Sequence, residues 1–167
     1  VLMKGGLTPP KIPRSELEQA GLLDTIRGIE AGGRYAVTVL DCSLGEGYPV
    51  ACTVIADREK GTFGVKPGCH PSFSVSVERT LTESLQGRSL EAFASANAIG
   101  TPEEVRVYHN GPNVMKVGIV IYPTELLAGE PGYAHQPWKA WQSRSKREYL
   151  GKLLAHAKAH GYRHLVR

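Results

Sequence analysis

The chain has 167 residues, of which 41% are hydrophobic and 22% charged, enough for one domain with its own core and too apolar for a disordered segment. No apolar run approaches the roughly 20 residues that span a bilayer, and the start carries no signal-peptide pattern. The three cysteines, Cys42, Cys52 and Cys69, lack CxxC spacing and read as buried thiols of a reducing cytoplasm, not a disulfide frame or a zinc site.

In chain order, the opening "VLMKGGLTPPKIPR" is rich in Pro and Gly and reads as a loop. Ser15 with Glu18 has the spacing of a capping box and predicts a short helix. Leu22, Leu23, Ile26 and Ile29 then recur at helical spacing up to Gly32-Gly33. "YAVTVLD" (35–41) is β-branched and apolar, the pattern of a strand buried on both faces. "VACTVIAD" (50–57) and "TFGVKPG" (62–68) predict two more strands, joined by the turn "REKG" as a hairpin. Ser72 is the expected N-cap of a helix whose packing side is Val77, Leu81, Ser84 and Leu85. "RVYH" (106–109) and "MKVGIVIYP" (115–123) read as strands around an "NGPN" turn, and 124–138 as loop. Ser145 and Glu148 form a second capping box. It opens an amphipathic helix with Leu150, Leu153, Leu154 and Ala157, ending at Gly161. Adjacent strands with flanking helices give an α+β fold, a mixed or antiparallel sheet flanked by amphipathic helices.

Net charge is +4, but Lys139 to Arg167 holds eight Lys/Arg against one acid, Glu148. Such a segment could meet RNA, a ribosome or another acidic partner; a solvated helix face is the plainer reading, and the aromatics do not interleave as a stacking platform would need.

The helix "HPSFSVSVERTLTESLQGR" (70–88) carries the chemistry worth weighing. Arg79, Glu83 and Gln86 stand at i, i+4 and i+7, one helix face, with Glu78 to one side. A carboxylate oxygen can hold a hard cation bridging to phosphate, a carboxamide can bond phosphate, ribose or base, and "GVKPGCH" brings glycines to a helix N-terminus that favours anions. By spacing alone the trio reads as surface decoration.

The stretch "GCHPSFSVSVERTLTESLQGRSL" resembles the signature of the YcaO-domain family, in which a Gly-X-His-Pro turn leads into a helix with a TExxQ core, here Thr82-Glu83-Ser84-Leu85-Gln86. "LDCSLGEGYPVACTVIADREKGT" is also similar, including Gly-Tyr-Pro-Val at the start of the second strand. The likeness runs from about 22 to about 91, is strongest for the stand-alone bacterial branch, and returns only in the closing "HGYRHLVR". It implies one partial domain over 1–167, the central to C-terminal portion of a YcaO-like domain within a longer enzyme. Members use ATP to activate a backbone amide oxygen, giving azolines (cyclodehydration), thioamides or amidines; the stand-alone branch is associated with ribosomal-protein methylthiolation. Carried over, the resemblance makes Glu83 a ligand of Mg2+ and Gln86 a nucleotide contact. Arg79 joins the nucleotide-binding side, His70 matches the pattern without a role, and the catalytic residue stays unknown. The family's acidic pair and ExxER helix, which precede the region of "YAVTVLD", find no counterpart here: "SELEQ" (15–19) has acids but no ExxER. The chain is thus expected to hold one wall of an ATP–Mg2+ site and by itself to be inactive.

Other groups have rival readings. Asp41 could act as a base, or cap the loop after its strand through a side-chain oxygen. Cys69 beside His70 invites a nucleophile pair, although sequence neighbours point apart. His156, His160 and His164 recur every four residues but Gly161 should break the helix, so they read as surface histidines. Trp138 and Trp141 read as core or a subunit contact, which leaves a homodimer open. Two functions are carried forward: an ATP-dependent amide-activating enzyme acting on a peptide or protein, and a non-catalytic module whose basic 139–167 segment binds RNA or a ribosome. Neither involves a membrane, and both are placed in the cytoplasm.

Overall fold

The computed structural model describes residues 7–100, 120–123, 125–137 and 145–162. Its centre is a five-stranded sheet in the order β1-β2-β3-β4-β5, made of β1 (Tyr35–Asp41), β2 (Val50–Asp57), β3 (Thr62–Cys69), β4 (Asn97–Gly100) and β5 (Val120–Pro123). β1, β2 and β3 form an antiparallel meander, β3 meets β4 antiparallel, and β4 runs parallel to β5, so the sheet is mixed, in an α+β fold. The helices are α1 (Arg14–Gln19), α2 (Leu23–Glu30), α3 (Phe73–Ser84), α4 (Leu90–Ala94), α5 (Glu125–Ala128) and α6 (Lys146–Ala159). Among the described residues no helix is long and apolar enough to cross a membrane.

Successive strand residues face opposite sides, and each side of the meander has its own apolar cluster. Val37, Val39, Ala51 and Ile55 meet Ile26, Val77, Leu81 and Phe93 from the helices, whereas Leu40, Cys52, Val54 and Phe63 pack on the other side with Tyr122 and Leu127. On the helical side β3 presents Gly64, Lys66 and Gly68, the partners of Ile55, Thr53 and Ala51. The glycines let helices come close. A Cβ on Gly68 would lie 2.6 Å from Thr80 Cγ2, and one on Gly64 would run into the Phe93 ring. The buried side of α3 is correspondingly small and hydroxylic: Ser76, Thr80 and Ser84 beside Val77 and Leu81. Thr80 donates to the Val77 carbonyl at 2.7 Å. Its oxygen is therefore left to accept from Thr53 on β2, which ties helix to sheet.

Several sequence expectations are corrected. Ser15 lies inside α1, whose N-cap is Pro13 with no side-chain cap hydrogen bond, so that capping box does not form. Leu85 is exposed at 40%, because α3 ends at Ser84 and the chain turns before Leu85 reaches the sheet. Cys69 is exposed, whereas Cys52 is buried and Cys42 half-buried. The opening segment is not only loop: Ile12 N–H donates to the Val39 carbonyl and Asp41 N–H to the Pro10 carbonyl, covering the otherwise free edge of β1. Helices α4 and α5 and strand β4 add to the expected elements. "RVYH" and Met115 to Ile119 lie outside the described residues, as do the "NGPN" turn, Trp138, Trp141 and His164. Ser145 does cap α6, accepting from Glu148 N–H at 3.2 Å, and Gly161 follows the helix with a left-handed φ of 78°.

Candidate functional site on helix α3

The approach to α3 is built by His70. Its Nδ1 accepts the Ser72 N–H at 3.0 Å, and the His70 backbone N–H donates to the Pro49 carbonyl. Ser72 occupies the N-cap position, but its hydroxyl bonds the Ser74 hydroxyl instead of a helix amide. A ring nitrogen that accepts a backbone amide shapes the turn, so His70 acts here as a turn former. Cys69, the last residue of β3, is exposed, and no bond joins it to His70, as expected for sequence neighbours.

Arg79 and Glu83 are exposed, one turn apart on α3. Glu83 does not stand alone: Lys66 Nζ on β3 lies 2.8 Å from Glu83 Oε2. The Lys66 ammonium, through that hydrogen bond and its charge, holds the Glu83 carboxyl below the usual carboxylate range, with a smaller contribution from Arg79. The carboxylate is thus an ionised, half-exposed acceptor flanked by two cations. Gln86 lies beyond α3; its N–H reaches back to the Glu83 carbonyl, and Gly87 follows with φ 71°. The i+7 alignment therefore does not extend along one helix. Gln86 is displayed in the exposed C-terminal turn next to Glu83's end of the helix. The Thr82 hydroxyl bonds the carbonyls of Glu78 and Arg79 and is not directed at the site.

Lys66 was legible only in hindsight. In "TFGVKPG" the strand alternation places Gly, Lys and Gly on one face; a lysine between two glycines under a helix is a cation with room to reach that helix. Asp41 shows the capping alternative. Its fully buried carboxylate accepts from Ser43 N–H at 2.8 Å and lies 2.7 Å from His135 Nδ1, while His135 Nε2 is 3.2 Å from Glu16 Oε1. Tyr133 OH donates to the Asp41 carbonyl. The Asp41 carboxylate is committed to holding the 131–137 loop against β1 and α1. No spacing in the sequence announces a contact across more than ninety residues. Hydrogen bonding to Cys52 and burial push the Cys42 thiol far up, which suits packing and not nucleophilic work.

The donor set of α3, its C-terminal turn and Lys66 on β3 fits a hard cation with a phosphate beside it. It offers a carboxylate oxygen for Mg2+, ammonium and guanidinium groups for phosphate, and a carboxamide at the end. Within the trio Glu83 alone brings a carboxylate.

Comparison with known proteins gives the chain its family. The model of the family described as YcaO cyclodehydratase, ATP- and Mg2+-binding, matches residues 1–167. An uncharacterized protein of Haemophilus influenzae is 41% identical over 83 residues, covering 49% of this chain and 14% of its own length. The ribosomal protein S12 methylthiotransferase accessory factor YcaO of Escherichia coli has the same identity and coverage. The chain therefore spans about one seventh of the length of these relatives (14%). Among solved structures, the heterocyclase TruD aligns with 57% of this chain and 14% of its own at 18% identity and a TM-score of 0.45. With the family model matching along its whole length, the chain belongs to the YcaO family.

Proposed function

We propose that this chain is part of an ATP-utilising enzyme that activates an amide for peptide or protein modification, and that α3 forms one wall of its nucleotide site. In this reading Glu83 is a Mg2+ ligand, and Gln86 and Arg79 contact the nucleotide. The observation that carries it is the exposed Glu83 carboxylate, held ionised by Lys66 at 2.8 Å with Arg79 one turn away. A carboxylate kept charged can take a cation in place of Lys66, and the released ammonium is then available to phosphate. Mg2+ supplies charge neutralisation on the phosphates; the chain's own residues bind and orient. Cyclodehydration, thioamidation and a part in ribosomal-protein methylthiolation are all compatible with this wall, and the name of the Escherichia coli relative favours the last. The free thiols suit a reducing, cytoplasmic setting.

The test is ATP turnover by the full-length protein carrying Glu83→Gln or Gln86→Ala. Both side chains are exposed, so folding should survive, as judged by far-UV circular dichroism, while turnover falls on the order of tenfold or more. Normal turnover in Glu83→Gln would return the trio to surface decoration. The chain alone is expected to bind Mg-ATP weakly, since octahedral Mg2+ against a triphosphate draws on more anionic oxygen than one carboxylate; micromolar affinity would defeat that count.

A second reading rests on α6, which buries none of its residues and exposes Lys146, Arg147 and Lys158. A basic face of that kind would bind RNA or a ribosome, with affinity falling steeply as salt rises. Flat or undetectable binding at low salt removes it.

A further inference from the structure

We propose that Glu46, His156 and His160 form a binding site for a divalent transition-metal ion of the zinc class, separate from the α3 wall and independent of nucleotide. One ligand atom from each of the three lies within 4.8 Å of the others. Glu46 Oε2 is 3.0 Å from His160 Nε2 and 3.7 Å from His156 Nε2. Tetrahedral ligands at about 2.0–2.1 Å from zinc stand roughly 3.4 Å apart, and the two observed separations bracket that value.

The site is assembled from two places in the fold. His156 sits in the last turn of α6 and His160 is its C-cap, four residues on, so both rings leave the same face, their centroids 4.2 Å apart. Glu46 comes from the β1–β2 loop, where Leu44, Gly45 and Gly47 all take left-handed φ values of 59°, 82° and 70°. Ser43 anchors that loop: its carbonyl accepts Glu46 N–H and its hydroxyl oxygen accepts Gly47 N–H. The carboxylate is therefore presented by a fixed turn.

A hydrogen bond sets the metal-ready nitrogen of His160. His160 Nδ1 lies 2.9 Å from the His156 carbonyl. A carbonyl only accepts, so Nδ1 carries the proton, and in the neutral ring Nε2 is a lone pair. That lone pair faces a carboxylate oxygen at 3.0 Å. A divalent cation seated there would be bound by both atoms. Tyr48 packs edge-on against His156, with centroids 5.3 Å apart, and limits that ring's rotation. Two imidazoles and one carboxylate select Zn2+, Co2+ or Ni2+ over the hard cations Mg2+ and Ca2+. The side chains are 23–43% exposed, which leaves room for water to complete the coordination. An ion there would clamp α6, which buries no residue of its own, to the loop after β1.

The test uses Co2+ and Zn2+ alone, without nucleotide. Co2+ titration should give visible d–d bands that saturate at one equivalent and are bleached by Zn2+ but not by a large excess of Mg2+. In the unsubstituted protein, ring-proton resonances of His156 and His160 should be the ones that move. Glu46→Gln, His156→Ala and His160→Ala should each weaken binding at least tenfold with unchanged circular dichroism. Several weak equivalents, displacement by Mg2+, or shifts confined to other histidines would overturn the site. Because no ATP is present, any of these results leaves the reading of Glu83 untouched.

Discussion

Gly68→Ala tests whether the close seat of α3 on the sheet is what positions Glu83 above Lys66. The new Cβ would lie 2.6 Å from Thr80 Cγ2 and 3.2 Å from the Ser76 carbonyl, against an ordinary carbon–carbon separation of about 3.5–4.0 Å. Roughly 1 Å must be found. Thr80 cannot swing aside freely, because its hydroxyl bonds both Thr53 and the Val77 carbonyl, and the Ser76 side chain is itself tied to the Gly68 carbonyl. Overpacking of this size costs about 2 kcal/mol, which for a chain of this length lowers Tm by roughly 4–8 °C. The assay is thermal unfolding followed by far-UV circular dichroism, with a second variant as control. Thr80→Ser removes the offending methyl and keeps the hydroxyl; alone it should cost about 1 kcal/mol. Combined with Gly68→Ala it should recover most of the loss, so that the two effects are less than additive by about 1 kcal/mol or more. A Gly68→Ala protein with unchanged Tm, or a double variant as unstable as the sum of the singles, would refute the steric argument.

Three further outcomes are expected. Gly64→Ala should be harsher and should not be rescued by trimming a side chain, because its Cβ would also lie 2.5 Å from the Phe93 backbone carbonyl; a Tm loss smaller than that of Gly68→Ala would contradict this. Below about pH 4.5 the protein should lose stability progressively. The carboxyls of Glu83, Glu91 and Glu30, paired with Lys66, Lys60 and Arg14, and of Asp57, paired with Arg34, are held below their ordinary values of 4.5 and 3.8. Lowered folded-state values mean the unfolded chain takes up protons first, so the stabilisation present above the unfolded values drains away as pH falls through the folded ones. Arg34→Met should be less stable than the parent at pH 7, with the gap in urea midpoints narrowing toward pH 3; a gap independent of pH would show that Arg34 acts only by packing.

The meander and the two long helices were legible because their signals are local: β-branched runs for β1 and β2, a Ser-x-x-Glu cap for α6, glycine stops after α2 and α6. What escaped was set at a distance. Pro13 displaces Ser15 from the cap of α1 because the preceding residues run along β1, and a fixed φ at Pro13 suits that extended approach. Leu85 has the spacing of a core residue, yet α3 ends before its side chain can reach the sheet. Asp41, His135 and Glu16 meet only because the 131–137 loop returns past the end of β1.

The same distinction runs through the two candidate sites. The TExxQ pattern points to Glu83, but spacing on one helix could not separate a ligand from decoration. The partner cation, Lys66, sits on β3 and is brought beneath α3 by the glycines on either side of it. In α6 the histidine spacing is visible in the sequence, and the helix stop at Gly161, with no third ligand type in view, makes it read as surface histidines. Glu46 supplies that ligand from more than a hundred residues away, out of a turn whose left-handed Leu44 gave no warning in the sequence, since leucine seldom takes that conformation. In both places a repeating pattern on a helix is ambiguous until the sheet, or the loop leaving it, sets one further charged group against it. That group is what turns a surface stripe into a testable ligand set.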